Sequence, residues 1–231
     1  MGIGDEVMAL GRAQAIARRT GSSVAIVDAQ GRLRHHSLWE NAPGIDAAAS
    51  YRLCDCPGHR PYIARYDRNR NRFIWRAWQP SPATIALTEA EDAIGRQYAG
   101  RLVFEDRLKP GAPPNKRWPH WGQVLLPPDA LRVSELGLTI REAAAVLKHC
   151  RAYVGHEGAL HHLAAAFGRP AVVIMGGYVG PAQTGYALAN HRYLTGGAQP
   201  CGHRSLCEHC SLAMRAITPQ AVVAALEEVT T

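Results

Sequence analysis

The sequence predicts an α/β protein built on parallel strands, and three observations carry that expectation. Tyr153 to Gly177, YVGHEGALHHLAAAFGRPAVVIMGG, reads strand, tight turn, helix and second strand. Within it Ala171 to Met175 is wholly apolar, as a strand covered on both faces requires. Two capping boxes, Thr88 with Glu91 and Thr139 with Glu142, each open a helix next to a short apolar segment. An apolar fraction of 47% over 231 residues is ample for a core, and no apolar run reaches membrane-spanning length. In such βαβ units ligands sit beyond the carboxyl ends of the strands. A helix start there, with Glu157 and two histidines beside it, suits a nucleotide diphosphate.

Taken in order, Gly2 and Gly4 form a flexible lead, and Asp5 stands as an N-cap for a first helix. Val7, Leu10, Ala13, Ile16 and Ala17 make its apolar face, and Gly21 closes it. Ser23 to Asp28 is a buried strand, after which the pattern is weak up to Leu53. Thr84 to Leu87 reads as a strand before the helix that Thr88 caps, which ends near Gly100. Leu102 to Glu105 begins a second unit and leads into the loop KPGAPPNKRWP. A short helix with Trp121 and Val124 follows, then a strand at Leu131 to Ser134 and a helix from Thr139 to Cys150. Within the 153–177 stretch, Tyr153 and Val154 end the first strand, and Gly155 and Gly158 bracket a turn where backbone approaches a ligand. Gly158 to Phe167 is helical until Arg169-Pro170 stops it. Arg192 to Leu194 is a last strand, and Thr218-Pro219 opens a terminal helix. Two unequal halves, 1–98 and 99–231, are the simplest division.

Six cysteines with no secretory leader argue for reduced thiols or a metal site and for a cytoplasmic protein of a bacterial or phage-infected cell, with no membrane insertion. The net charge of +7 permits a polyanionic partner without demanding one. Cys201, Cys207 and Cys210, with His203 and His209 between them, are the best metal candidate. Three thiolates and His203 would make a closed structural zinc site; free thiols are the alternative. Cys54-x-Cys56 is too tight for an ordinary disulfide and carries no assignment. Arg65 to Trp78, RYDRNRNRFIWRAW, interleaves five arginines with aromatic rings. Arg65, Arg68, Arg70 and Arg72 are therefore candidate phosphate contacts and Trp75 a candidate base-stacking ring. The alternative is a half-buried strand with an arginine-rich outer face. Thr184 and Gly185, in a glycine-bounded loop after the last strong strand, are candidate phosphate contacts.

Four segments carry a family resemblance: GIGDEVMAL, NKRWPHW, GHEGALHHLAAAFGRPAVVIMGG, and the cysteines followed by AMRAITPQAVVAAL. In this order they resemble the family 9 glycosyltransferases, the heptosyltransferase group. The resemblance covers the C-terminal half almost throughout and the N-terminal half only at its start. It implies a GT-B-like α/β fold, two small Rossmann-like domains facing each other across a ligand cleft, with the N-terminal one reduced. By the same resemblance Asp5 is the base that takes the acceptor's proton, and Lys116 contacts donor phosphate. Glu157 with Gly158, His161 and His162 then binds the UDP-, ADP- or GDP-sugar donor; of the two histidines, His162 matches the family's. Two departures stand out. Only Met1 to Ile3 precede Gly4-Asp5 where the family has a strand, and Glu157 replaces the family's Asp. No Asp-x-Asp metal pair occurs, so transfer is expected to be inverting and to need no metal cofactor.

The spellings EGALHH and PNKRW resemble compact glycosyltransferases carried by bacteriophages, some of which glycosylate 5-hydroxymethylcytosine in phage DNA beside TET-like oxygenases. That resemblance favours a 5-hydroxymethylpyrimidine in DNA as acceptor, reached by base flipping. The alternatives are transfer to lipopolysaccharide or another glycan, and a non-catalytic nucleotide-sugar or nucleic-acid binding module.

Overall fold

The computed structural model describes residues 2–56 and 58–231. Its elements run α1 (Ile3–Thr20), β1 (Val24–Val27), β2 (Tyr51–Cys54), β3 (Ile63–Asp67), β4 (Arg72–Trp75), α2 (Glu89–Arg96) and β5 (Leu102–Glu105). They continue with β6 (Leu131–Arg132), α3 (Ile140–His149), β7 (Ala152–His156), α4 (Ala159–Ala166), β8 (Ala171–Ile174), α5 (Pro181–Thr184), β9 (His191–Leu194), α6 (Glu208–Ala216) and α7 (Pro219–Thr230). One parallel sheet in the order β6-β5-β7-β8-β9 organises the C-terminal half. β1 and β2 form a separate parallel pair, and β3 and β4 an antiparallel hairpin.

Side chains alternate across the large sheet and divide its surroundings into layers. Val103, Tyr153, Ala171 and Val173 pack with α1, α3 and α4. Leu102, Val154, Val172 and Ile174 face the other way, onto Trp118, Met214 and α7. Both faces are covered, which is why these strands are continuously apolar. Val7, Leu10, Val24 and Ile26 from the first half belong to the same core cluster as Val103, Val146 and Leu163 from the second. No helix among the described residues is long and apolar enough to cross a membrane.

Several expectations need correction. Asp5 does not cap α1: Gly2 does, and Asp5 at the third helical position accepts the Gly2 N–H at 3.0 Å. Gly4 therefore lies inside the helix and is no flexible lead. A Cβ there would sit 2.6 Å from His162 Cδ2, so only glycine lets α1 press against α4 at this point. Gly155 is within β7 and not in a turn; its missing side chain leaves room for the Tyr153 hydroxyl, which an added Cβ would approach to 2.1 Å. Thr84 to Leu87 forms no strand, because the Gln14 side chain takes both backbone groups of Thr84, at 2.7 and 2.8 Å. The Thr88 and Thr139 capping boxes form as expected, as do the Gly21 left-handed cap and the Thr218 cap of α7.

Candidate active site

In the large sheet the chain leaves β5 for β6 on one side and returns through α3 to β7 on the other. The strand order thus reverses between β5 and β7, and a crevice opens at their carboxyl ends, where α/β sheets bind ligands. A cleft of about 910 Å³ lies there, bounded by the start of α1 and the β3–β4 hairpin from the first half and by the loops after β5 and β7 from the second. That volume is at the upper end of the range for small-ligand sites. Arg60, Arg107, Lys109, Lys116 and Arg204 reach it against the carboxylates of Asp5, Glu105 and Glu157, so cations outnumber anions. An anionic ligand fits that balance.

Asp5 enters the cleft from the first turn of α1. Its Oδ1 pairs with Arg60 at 2.5 Å and accepts the Tyr62 hydroxyl, and Arg60 also donates to that hydroxyl at 3.2 Å. The Asp5 and Arg60 side chains are only 17% and 12% exposed, so the pair is held with little solvent. Burial, and then the Asp5 carboxylate, raises Tyr62 above the ordinary tyrosine range, leaving it a neutral donor. Among the described residues Oδ2 has a single partner, the Gly2 N–H.

On the opposite wall Lys116 ends the short turn Pro114–Lys116 and pairs with the Glu157 carboxylate. Its ammonium also stands 5.5 Å over the Tyr178 ring. Glu157 sits just past β7, where His162 Nε2 lies 3.5 Å from its other oxygen. Burial raises the acid's pKa, but Lys116 and His162 outweigh it and hold Glu157 well below the usual range. Gly158, the N-cap of α4, and Ala159 and Leu160 in its first turn line the cavity. Their unpaired N–H groups and the helix dipole add to the Lys116 charge.

Not every expected residue reaches the cleft. His162 lines it and hydrogen-bonds Tyr186 through Nδ1 at 3.0 Å. His161 lies behind, 0% exposed and with neither ring nitrogen partnered; burial and the neighbouring His162 keep it neutral. The atoms of Glu157, His161 and His162 are close enough to share a cation. Of the three, Glu157 pairs through its carboxylate with the Lys116 ammonium. Thr184 reaches the cavity with an unpartnered hydroxyl, whereas Gly185 does not; it closes the α5 turn through its N–H to Pro181. Trp75 lines the cleft, stacked on Phe73 at 5.2 Å, with its Nε1–H donated to the Tyr178 carbonyl. Arg65, Arg68 and Arg70 are exposed on the hairpin outside the cavity lining, and Arg72 is half-buried 4.0 Å from Asp67.

The Cys201, Cys207 and Cys210 sulfurs come together, with 3.9 Å from Cys201 to Cys207 and 3.2 Å from Cys201 to Cys210. His203 does not complete the set, since its imidazole is outside the group of ligating atoms within 4.8 Å. Its backbone is held elsewhere, bridged to Arg72 and bonded to Asn115. Asn115 also accepts the Cys207 N–H at 3.0 Å, so this loop buttresses the segment that carries Lys116.

Sequence reading missed Arg60 and Tyr62, which lie between the weak stretch ending at Leu53 and the Arg65–Trp78 segment, and Lys109, whose Nζ approaches Gly2. One signal was available: the Arg60-Pro61-Tyr62 triplet puts a cation and a phenol on a proline-stiffened segment.

The fold is GT-B-like α/β, with its cleft at the switch point of the parallel sheet. Residues 136–207, from before α3 into the cysteine loop, match the model of glycosyltransferase family 9 (heptosyltransferase). Among solved structures, a glycosyl transferase of family 9 from Veillonella parvula is similar over 100% of this chain and 95% of its own, with a TM-score of 0.61 and 13% identity. E. coli ADP-heptose lps heptosyltransferase II matches with a TM-score of 0.46 and 19% identity, over 68% of this chain and 54% of its own. E. coli heptosyltransferase WaaC with ADP-2-deoxy-2-fluoro heptose matches at 0.39 and 18%, over 63% and 51%. The chain thus spans about half the length of these last two structures. No curated protein sequence matches it.

Proposed function

We propose that the chain is an inverting glycosyltransferase moving a sugar from a nucleotide diphosphate to an acceptor hydroxyl. The observation that carries this is the facing of Asp5 and the Lys116–Glu157 pair across one cleft at the switch point. The acceptor oxygen attacks the anomeric carbon while Asp5 takes its proton, and the diphosphate leaves towards Lys116 and the start of α4. Arg60 and Tyr62 hold Oδ1, leaving Oδ2 for the proton. The donor's sugar and ribose fall to Glu157 and His162, and its phosphates to Lys116, Gly158 and Thr184. Residues 1–98 supply the acceptor side and 99–231 the donor side.

The acceptor we favour is a 5-hydroxymethylpyrimidine in DNA, the donor a UDP-, ADP- or GDP-sugar. Supporting it are the three exposed arginines Arg65, Arg68 and Arg70 on a hairpin whose inner face, with Phe73 and Trp75, walls the cleft. The family match at residues 136–207 supports a second reading, transfer to lipopolysaccharide or another glycan. Cys201, Cys207 and Cys210 would hold a structural zinc that stiffens the loop behind Lys116.

The deciding experiment incubates the protein with 5-hydroxymethylcytosine DNA and a panel of nucleotide sugars, then weighs the released nucleosides. A hexose- or pentose-sized gain on that nucleoside is expected and would name the donor. No gain with any donor, while one nucleotide sugar raises Tm, would transfer the acceptor to a glycan. Neither gain nor stabilisation by any donor would remove the glycosyltransfer reading.

A further inference from the structure

A second group of metal-ligating side chains lies outside the cleft, at the end of β2. In an extended chain, alternate residues point to the same side. Cys54 ends β2, and the Asp55 N–H continues the pairing by donating to the Val27 carbonyl at 3.1 Å. Cys54 and Cys56 therefore project together, with sulfurs 3.9 Å apart, while Asp55 turns inward to Arg12 and Arg34. The His59 N–H then donates to the Cys56 carbonyl at 2.8 Å, and this turn brings its Nδ1 within 3.0 Å of the Cys56 sulfur. All three ligating atoms lie within 4.8 Å of one another.

Metal geometry can be compared with these distances. Tetrahedral zinc, with its usual bond lengths, holds two sulfurs about 3.8 Å apart and a sulfur and an imidazole nitrogen about 3.5 Å apart. The sulfur pair already stands at that spacing, and the exposed His59 ring needs an outward shift of about half an ångström. A disulfide would require the sulfurs to close to about 2 Å between residues only two apart, against the separation the extended backbone sets.

We propose that Cys54, Cys56 and His59 bind a zinc ion, with water in the fourth position, and that this ion staples the 54–62 loop holding Arg60 and Tyr62 against Asp5. Arg60 is the residue next to His59, and Tyr62 follows two further on, so fixing the turn fixes both partners of the Asp5 carboxylate. Two thiolates and an imidazole suit a borderline-soft divalent ion and disfavour Mg²⁺ or Ca²⁺. The proposal concerns these side chains alone and stands whether or not the chain transfers sugar.

The test uses the full chain, stripped with chelator, kept reduced and reloaded with zinc alone. Iodoacetamide labelling is followed thiol by thiol by peptide mass spectrometry, which separates Cys54 and Cys56 from the 201–210 cysteines. Zinc is expected to slow alkylation of Cys54 and Cys56 at least tenfold in the wild-type protein. In His59→Ala, whose replaced ring is exposed and so leaves the fold intact, protection should drop severalfold while that of the 201–210 thiols is unchanged. Hydrogen exchange of residues 58–62 should slow with zinc in the wild-type chain only. Equal alkylation rates with and without zinc would overturn the proposal. So would a Cys54–Cys56 disulfide, or undiminished protection in the variant.

Discussion

Asp5 presents its two oxygens to different surroundings. Oδ1 is committed to Arg60 and Tyr62, and among the described residues Oδ2 meets only the Gly2 N–H. A base needs one lone pair free and the rest of the group fixed, and this division supplies both. Asp5→Asn keeps the shape and the contact to Tyr62 but cannot take a proton. Turnover of the donor is expected to fall by about 10²–10⁴-fold with donor Kd unchanged; turnover within a few-fold of wild type would remove Asp5 from the chemistry. The residues of this wall were only partly legible. Asp5, Lys116 and Glu157 stand in motifs with recognisable neighbours, whereas Arg60 and Tyr62 are set against Asp5 by a loop with no periodic signal. Helical periodicity does not separate His161 from His162; the family resemblance singles out His162, and the packing of α4 turns that one to the cleft and the other to the core.

Elements with local signatures formed where their residues placed them. The two capping boxes, the apolar run of β8 and the proline-led α7 each carry their own stop or start signal in adjacent side chains. Thr84 to Leu87 did not, because what decides a strand is a backbone partner and here the partner is a side chain. Gln14, 2% exposed on α1, accepts the Thr84 N–H on its amide oxygen and donates its amide N–H groups to the carbonyls of Thr84 and Pro43. A contact across 70 residues leaves no trace in local sequence. Gln14→Leu would take the partner from these part-buried hydrogen bonds, at a cost of about 1–2 kcal/mol. Urea unfolding checks it, and a loss under about 0.5 kcal/mol would show that the 84–87 segment finds other partners.

Across the whole molecule, the two halves are joined by one core and by Arg141, which reaches Glu91 on α2 at 2.5 Å and the carbonyls of Ser37 and Ala86. Unfolding should therefore release buried groups from both halves together. Three of them are histidines kept neutral. Burial, aided by Lys116, lowers His156 to about 4; burial lowers His191 to about 4; burial and His162 hold His161 well below its usual range. The unfolded chain protonates each near its ordinary pKa of about 6.5, while the folded chain keeps His156 and His191 neutral until about 4 and His161 neutral well below its usual range. Stability is thus complete above about pH 6.5 and falls as pH drops below it, since the unfolded state binds the extra protons. Asp55 acts oppositely, because burial raises it to about 6 and the folded form takes up its proton first. Glu91 and Asp92, each lowered to about 2, come into play only below about pH 4.5. Three protons against one leave a net loss of about 3 kcal/mol per pH unit between roughly pH 6 and 4.5. Over this window the loss sums to about 4 kcal/mol, a large share of a typical stability of about 5–15 kcal/mol. The urea midpoint should be flat from pH 8 to 7 and then fall steeply with acid, and replacing His191 with Gln should make the fall shallower. A midpoint unchanged between pH 7 and 5 would mean that these histidines are already charged in the fold.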